Sequence, residues 1–92
     1  MKTGEYKIPG GKLVRIELDV KEQKIDSIKI TGDFFLHPER ALEQIELQLL
    51  GTPLGKKKLE DKLNAVLEQF NAQLLGVNKA QLAECIMSTA QG

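Results

Sequence analysis

The stretch Ile28-Lys29-Ile30-Thr31-Gly32-Asp33-Phe34-Phe35-Leu36-His37-Pro38-Glu39 divides the chain into two halves of different periodicity. Before it, apolar and polar residues alternate, which is the period of a half-buried strand. After it, apolar residues recur every three or four positions, the period of a helix packed along one side. The stretch itself carries a Gly-Asp pair that ends a strand, Pro38 and Glu39 suited to a helix start, two adjacent phenylalanines and the only histidine. Strands must therefore come first and helices second, an α+β order.

In the first half, Val14, Ile16, Leu18 and Val20 alternate with Leu13, Arg15, Glu17 and Asp19. This predicts a strand over Lys12–Val20 with one buried face. Leu13 interrupts the polar face and is a candidate for a second buried contact. Lys21–Lys24 is a polar connector of hairpin length. The next strand covers Ile25–Thr31, and Ile25 is out of phase with Ile28 and Ile30, so this strand starts late or carries a bulge. Met1–Glu5 reads as a loose lead-in. Tyr6–Ile8 reads as a short edge strand that Pro9 closes. A lone hairpin is unstable, so helices must cover its apolar face.

In the second half, His37 falls at the N-cap position and Pro38 in the first turn. Ala41, Leu42, Ile45 and Leu49 form the core face of a helix that Gly51 and Pro53 end. Leu59, Leu63, Val66, Leu67, Phe70 and Leu74 predict a second helix from about Lys56 to Leu75, ended by Gly76. Asn78 with Gln81 has the form of a capping box. Leu82, Cys85, Ile86 and Thr89 make the inner face of a third helix. The expectation is one α+β domain over residues 1–92, a small antiparallel sheet of two to three strands packed against three helices.

Composition narrows the functions. Lys+Arg and Asp+Glu both number 13, so no net field attracts nucleic acid or an anionic membrane. The run Lys56-Lys57-Lys58 reads as a solvated helix start. Aromatics are 4% of the chain, so the core rests on Leu, Ile and Val and is modest, which favours docking on a partner. The single cysteine excludes an internal disulfide and a Cys-only metal site, and its apolar setting predicts a buried, inert thiol. Neither an apolar leader nor a membrane-length apolar run occurs in the sequence, so a soluble, cytoplasmic protein is expected.

Nucleophilic or hydrolytic chemistry needs a nucleophile, a base and an orienting group together. Nothing in the spacing of His37 and Cys85 joins them, and Asp33, His37 and Glu39 match no standard metal-ligand motif. No metal is expected. Asp33 is expected to satisfy backbone N–H groups in its turn. Gly10-Gly11-Lys12-Leu13 is consistent either with a hairpin turn that leaves Lys12 in water or with a weak anion-binding arrangement. Of Phe34 and Phe35, one ring is expected in the core and the other under a helix or against a partner.

Lys7-Ile8-Pro9-Gly10-Gly11-Lys12-Leu13-Val14, then a hairpin, then Ile30-Thr31-Gly32-Asp33-Phe34-Phe35-Leu36-His37-Pro38-Glu39, resembles the accessory domain of lipoate–protein ligases. Ile45-Glu46, Leu49-Leu50-Gly51 and Gly76-Val77 extend the likeness. That domain is the C-terminal part of one-chain bacterial ligases and a separate small protein in many archaea. A chain of 92 residues starting at Met1 fits the separate form. The resemblance implies a fold related to iron–sulfur scaffold and sulfur-transfer accessory proteins.

It also implies a heterodimer with a large catalytic ligase subunit. The pair would join lipoate to ATP as lipoyl-adenylate, then pass the lipoyl group to a lysine of a lipoyl domain or H protein. This chain would not be an enzyme on its own and would bind no cofactor alone; ATP, Mg2+ and lipoate would occupy the partner's active site. Lys12 is the candidate auxiliary cation. The candidate partner interface is Gly10, Gly11, Lys12, Leu13, Gly32, Asp33, Phe34, Phe35, His37 and Pro38. The alternative is a small scaffold or carrier of the iron–sulfur or sulfur-transfer type, which the lone helical cysteine disfavours.

Overall fold

The structure is a computed structural model that describes residues 1–10 and 12–91. Three antiparallel strands, β1 (Lys2–Ile8), β2 (Lys12–Lys21) and β3 (Lys24–Gly32), form a sheet in the order β1-β2-β3. A short strand β4 (Phe35–His37) leads to α1 (Arg40–Leu49) and α2 (Lys56–Gln69). Then β5 (Gln73–Leu75) returns to pair with β4, and α3 (Lys79–Gln91) closes the chain. The α+β architecture with three helices agrees with the sequence reading. The β4–β5 ribbon was not anticipated.

The alternation in β2 does what its period dictates. Val14, Ile16 and Leu18 are fully buried, while Arg15 and Glu17 face outward opposite Glu5 and Lys29. Opposite charges thus face each other across the solvated side, and the Arg15 guanidinium lies 2.6 Å from Glu5. The Ile25 phase problem is resolved by a bulge: the register shifts at Asp19/Val20, which turns Ile25 inward to 2% exposure. The β2–β3 turn uses Glu22 and Gln23, both at positive φ, as the twist of a two-residue hairpin requires.

Met1–Glu5 is not a loose lead-in. Lys2 to Ile8 pair with Leu18 to Lys12 along the whole of β1. The helix-facing positions of β1 are Lys2, Gly4, Tyr6 and Ile8, so no hydrophobic alternation advertises the strand. Tyr6 Oη bonds Thr89 Oγ1 at 2.8 Å, and Gly4 leaves the room for it, since a Cβ there would stand 2.3 Å from that oxygen.

Helices form the second layer. α3 lies across β1 and β2, α1 lies beside β3, and α2 packs against both other helices. Ile45, Leu49, Leu59, Leu63, Val66, Leu82 and Ile86 are all at most 1% exposed and fill the space beneath the sheet. Burial of this kind is worth about 1.5–3 kcal/mol for each large aliphatic side chain. Gly51, at φ 79°, ends α1 as expected, and its N–H reaches the Ile25 carbonyl at 2.8 Å.

Two helix boundaries differ from the sequence reading. His37 is not the N-cap: it is the last residue of β4, and α1 starts at Arg40 after Glu39. Pro38 precedes the helix, and its carbonyl accepts from Ala41 N–H. α2 stops at Gln69 instead of running to Leu75, because Asn71 takes a positive φ of 49° and turns the chain back into β5. The i, i+4 spacing of Phe70 and Leu74 survives this break only by coincidence of sequence.

The capping box before α3 is complete. Asn78 Oδ1 accepts from Gln81 N–H at 2.8 Å, and Gln81 Oε1 accepts from Asn78 N–H at 2.9 Å. Asn78→Ala is expected to cost about 1 kcal/mol in urea unfolding, with the slope of the transition unchanged.

Candidate functional site

The two sequence motifs meet at one corner of the sheet. Asp33 Oδ1 accepts from Leu13 N–H at 2.6 Å, and Asp33 N–H donates to the Leu13 carbonyl at 3.1 Å. The carboxylate therefore satisfies a backbone N–H, as expected, but that N–H belongs to the start of β2, not to the Asp33 turn. This pair of bonds fastens the Gly32–Asp33 exit of β3 to the Lys12–Leu13 entry of β2.

Gly32 sits at the crossing. A Cβ there would stand 2.2 Å from the Leu13 carbonyl oxygen and 3.0 Å from the Phe34 ring. Only glycine lets β2 and the outgoing chain approach this closely. Lys12 continues the corner toward β5. Its aliphatic stem lies over Gly76, whose hypothetical Cβ would be 3.2 Å from Lys12 Cγ. Among the described residues, no carboxylate lies within 4.0 Å of the Lys12 ammonium. Gly10 is exposed at the preceding turn; Gly11 lies outside the described residues.

The two phenylalanines differ in burial. Phe34 is partly buried against the core. Phe35 is 70% exposed and pairs across the ribbon with Leu75, 60% exposed. Leu13 is 40% exposed, so it is not a second buried contact. His37 is also exposed, at the far end of β4 opposite Gln73. Pro38 is half-buried. A shallow cleft of about 400 Å³ opens between Ile30–Gly32, Phe34–Leu36 and α1.

Leu75 is the exposed apolar residue of this corner that sequence reasoning missed. Helical spacing placed it at the end of α2, and the overlooked signal was Asn71, a residue tolerant of positive φ, just before it. Phe35→Ala is expected to change unfolding free energy by less than about 0.5 kcal/mol. Phe34→Ala should cost about 2 kcal/mol, since its ring is only partly covered. Paired chemical-denaturation curves distinguish the two.

Other groups do not join the corner. Cys85 is buried on α3, and burial, followed by the nearby Glu84 carboxylate, pushes its thiol pKa up. A thiol held protonated is a poor nucleophile. Among the described residues, no group of three or more His, Cys, Asp or Glu could hold a metal ion, and no helix is long and apolar enough to cross a membrane.

Comparisons with known proteins agree on one family. The family described as bacterial lipoate protein ligase C-terminus matches residues 3–86. Lipoate-protein ligase A subunit 2 of Thermoplasma acidophilum is 33% identical over 61 residues, which are 66% of this chain and 58% of that relative. The chain thus spans little more than half the length of the curated relative it matches. A solved structure described as an archaeal lipoylation system, a bi-partite lipoate protein ligase and its E2 lipoyl domain from Thermoplasma acidophilum, contains a chain of the same fold. The TM-score is 0.72 with 27% identity, covering 92% of this chain and 90% of that one. With its two motifs joined at one corner and its length matched almost throughout, the chain belongs to the lipoate protein ligase C-terminal family.

Proposed function

We propose that this chain is the non-catalytic subunit of a two-protein lipoate–protein ligase. With a large catalytic subunit it supports ATP-dependent conversion of lipoate to lipoyl-AMP, before the lipoyl group passes to target lysines on a lipoyl domain or H protein. ATP, Mg2+ and lipoate bind in the large subunit. The observation that carries the reading is the likeness, over nearly the full chain, to a chain from a bi-partite ligase.

The corner supplies the physical means. Phe35 and Leu75 offer an apolar contact on the β4–β5 ribbon, and Lys12, whose stem lies over Gly76, stands beside it as a cation. Adenylation develops negative charge on the α-phosphate and on the departing pyrophosphate. A positioned ammonium stabilises that charge at the moment it forms. Transfer of the lipoyl group from preformed lipoyl-AMP has no departing pyrophosphate and does not require this cation.

The test is lipoate-dependent ATP–pyrophosphate exchange by the large subunit with and without this chain. Exchange should depend on the chain, and transfer from supplied lipoyl-AMP should not. Equal exchange in both samples overturns the proposal.

A further inference from the structure

A second exposed apolar group lies along the seam between β3 and α1. Leu47 on α1 is 59% exposed and Leu50 just beyond it 45% exposed. With half-buried Ile28 they line a cleft of about 420 Å³, rimmed by Asp26, Glu43 and Glu46. The seam continues into the cleft at the Phe35 corner, which is lined in part by Ile30, Gly32 and Leu42.

The outer edge of β3 is closed at both ends of this cleft. At one end Ile25 N–H donates to the Thr52 carbonyl at 3.1 Å, and the Ile25 carbonyl accepts from Gly51 N–H at 2.8 Å. At the other, Ile30 N–H donates to Glu46 Oε2 at 2.8 Å. Ile30 therefore points its N–H away from β2, and by the two-residue alternation of an antiparallel ladder Ile28 does the same. Among the described residues, no hydrogen bond closes the edge at Ile28. An open piece of strand edge beside an apolar cleft is a template for an added strand.

The rim selects the occupant. Asp26 and Glu43 are exposed carboxylates, whereas Lys29, the next residue on β3, projects from the opposite face of the sheet. We propose that the β3–α1 seam receives a short extended segment of the large ligase subunit. Its backbone bonds to Ile28, one apolar side chain enters the cleft over Leu47 and Leu50, and a flanking Lys or Arg meets Asp26 and Glu43. The inference rests on the ligase reading above and extends its interface away from the Phe35 corner.

The test titrates this chain with the purified large subunit and follows amide exchange in the complex. The Ile28 amide should exchange at least tenfold more slowly when bound. Leu47→Ser and the pair Asp26→Lys, Glu43→Lys should each weaken binding at least tenfold with unchanged melting, and added salt should weaken wild-type binding. If Phe35→Ala disrupts the complex while the seam variants bind normally and Ile28 exchange is unchanged, the seam is overturned and the ligase reading stands. If the wild-type chain forms no complex with the large subunit, both are overturned. Slowed Ile28 exchange in this chain alone at high concentration assigns the seam to a second copy and overturns the proposal as well.

Discussion

Replacing Gly32 by alanine is expected to lower the melting temperature by about 12–24 °C. The added methyl would stand 2.2 Å from the Leu13 carbonyl oxygen, a backbone atom that cannot turn aside as a side chain can. Relief requires β2 and the β3 exit to separate, which breaks the Asp33 N–H bond to that carbonyl. Backbone strain of about 1–3 kcal/mol and a lost hydrogen bond of about 1 kcal/mol give roughly 3 kcal/mol in all. A domain of this size holds only about 5–14 kcal/mol. Gly51→Ala is the control. Its φ of 79° also suits glycine, but nothing lies within 4 Å of the missing Cβ, so it should cost only about 1 kcal/mol. Equal melting of the two variants would show that the close crossing at Gly32 is unimportant.

Lys12→Met is expected to slow lipoyl-adenylate formation about a hundredfold in the reconstituted ligase, the loss typical of removing one positioned charge-stabilising donor. Methionine retains much of the stem that lies over Gly76 and removes the ammonium, so melting should not change. Transfer from supplied lipoyl-AMP should also be unchanged. Lys12→Arg restores the charge with a different shape and should recover part of the rate. Unaltered adenylation in Lys12→Met would remove Lys12 from the chemistry and leave it a packing residue.

The clearest strand was legible because burial and alternation coincide in it: Val14, Ile16 and Leu18 point inward and nothing interrupts them. β1 was only partly legible because Lys2 and Gly4 occupy inward positions, where α3 offers polar groups to meet them. β5 was hidden by Phe70 and Leu74, whose spacing mimics another turn of α2. At the corner, sequence identified the residues but not their junction. Asp33 has the local appearance of a turn residue, and only the folded register brings it to Leu13. Leu75 joined the site for the same reason, through pairing with Phe35.

The contact between β1 and α3 also sets when the domain can form. The first strand of the chain packs on its last helix, through Tyr6 and Thr89. The hairpin of β2 and β3 can pair early, but the part of its apolar face beneath α3 stays wet until α3 arrives. During synthesis, β1 emerges before α3 and must wait for it before this part of the core closes. Such long-range closure slows folding and prolongs exposure of the sheet. The layer that α3 forms with β1, β2 and α2 therefore closes only after α3 has been translated.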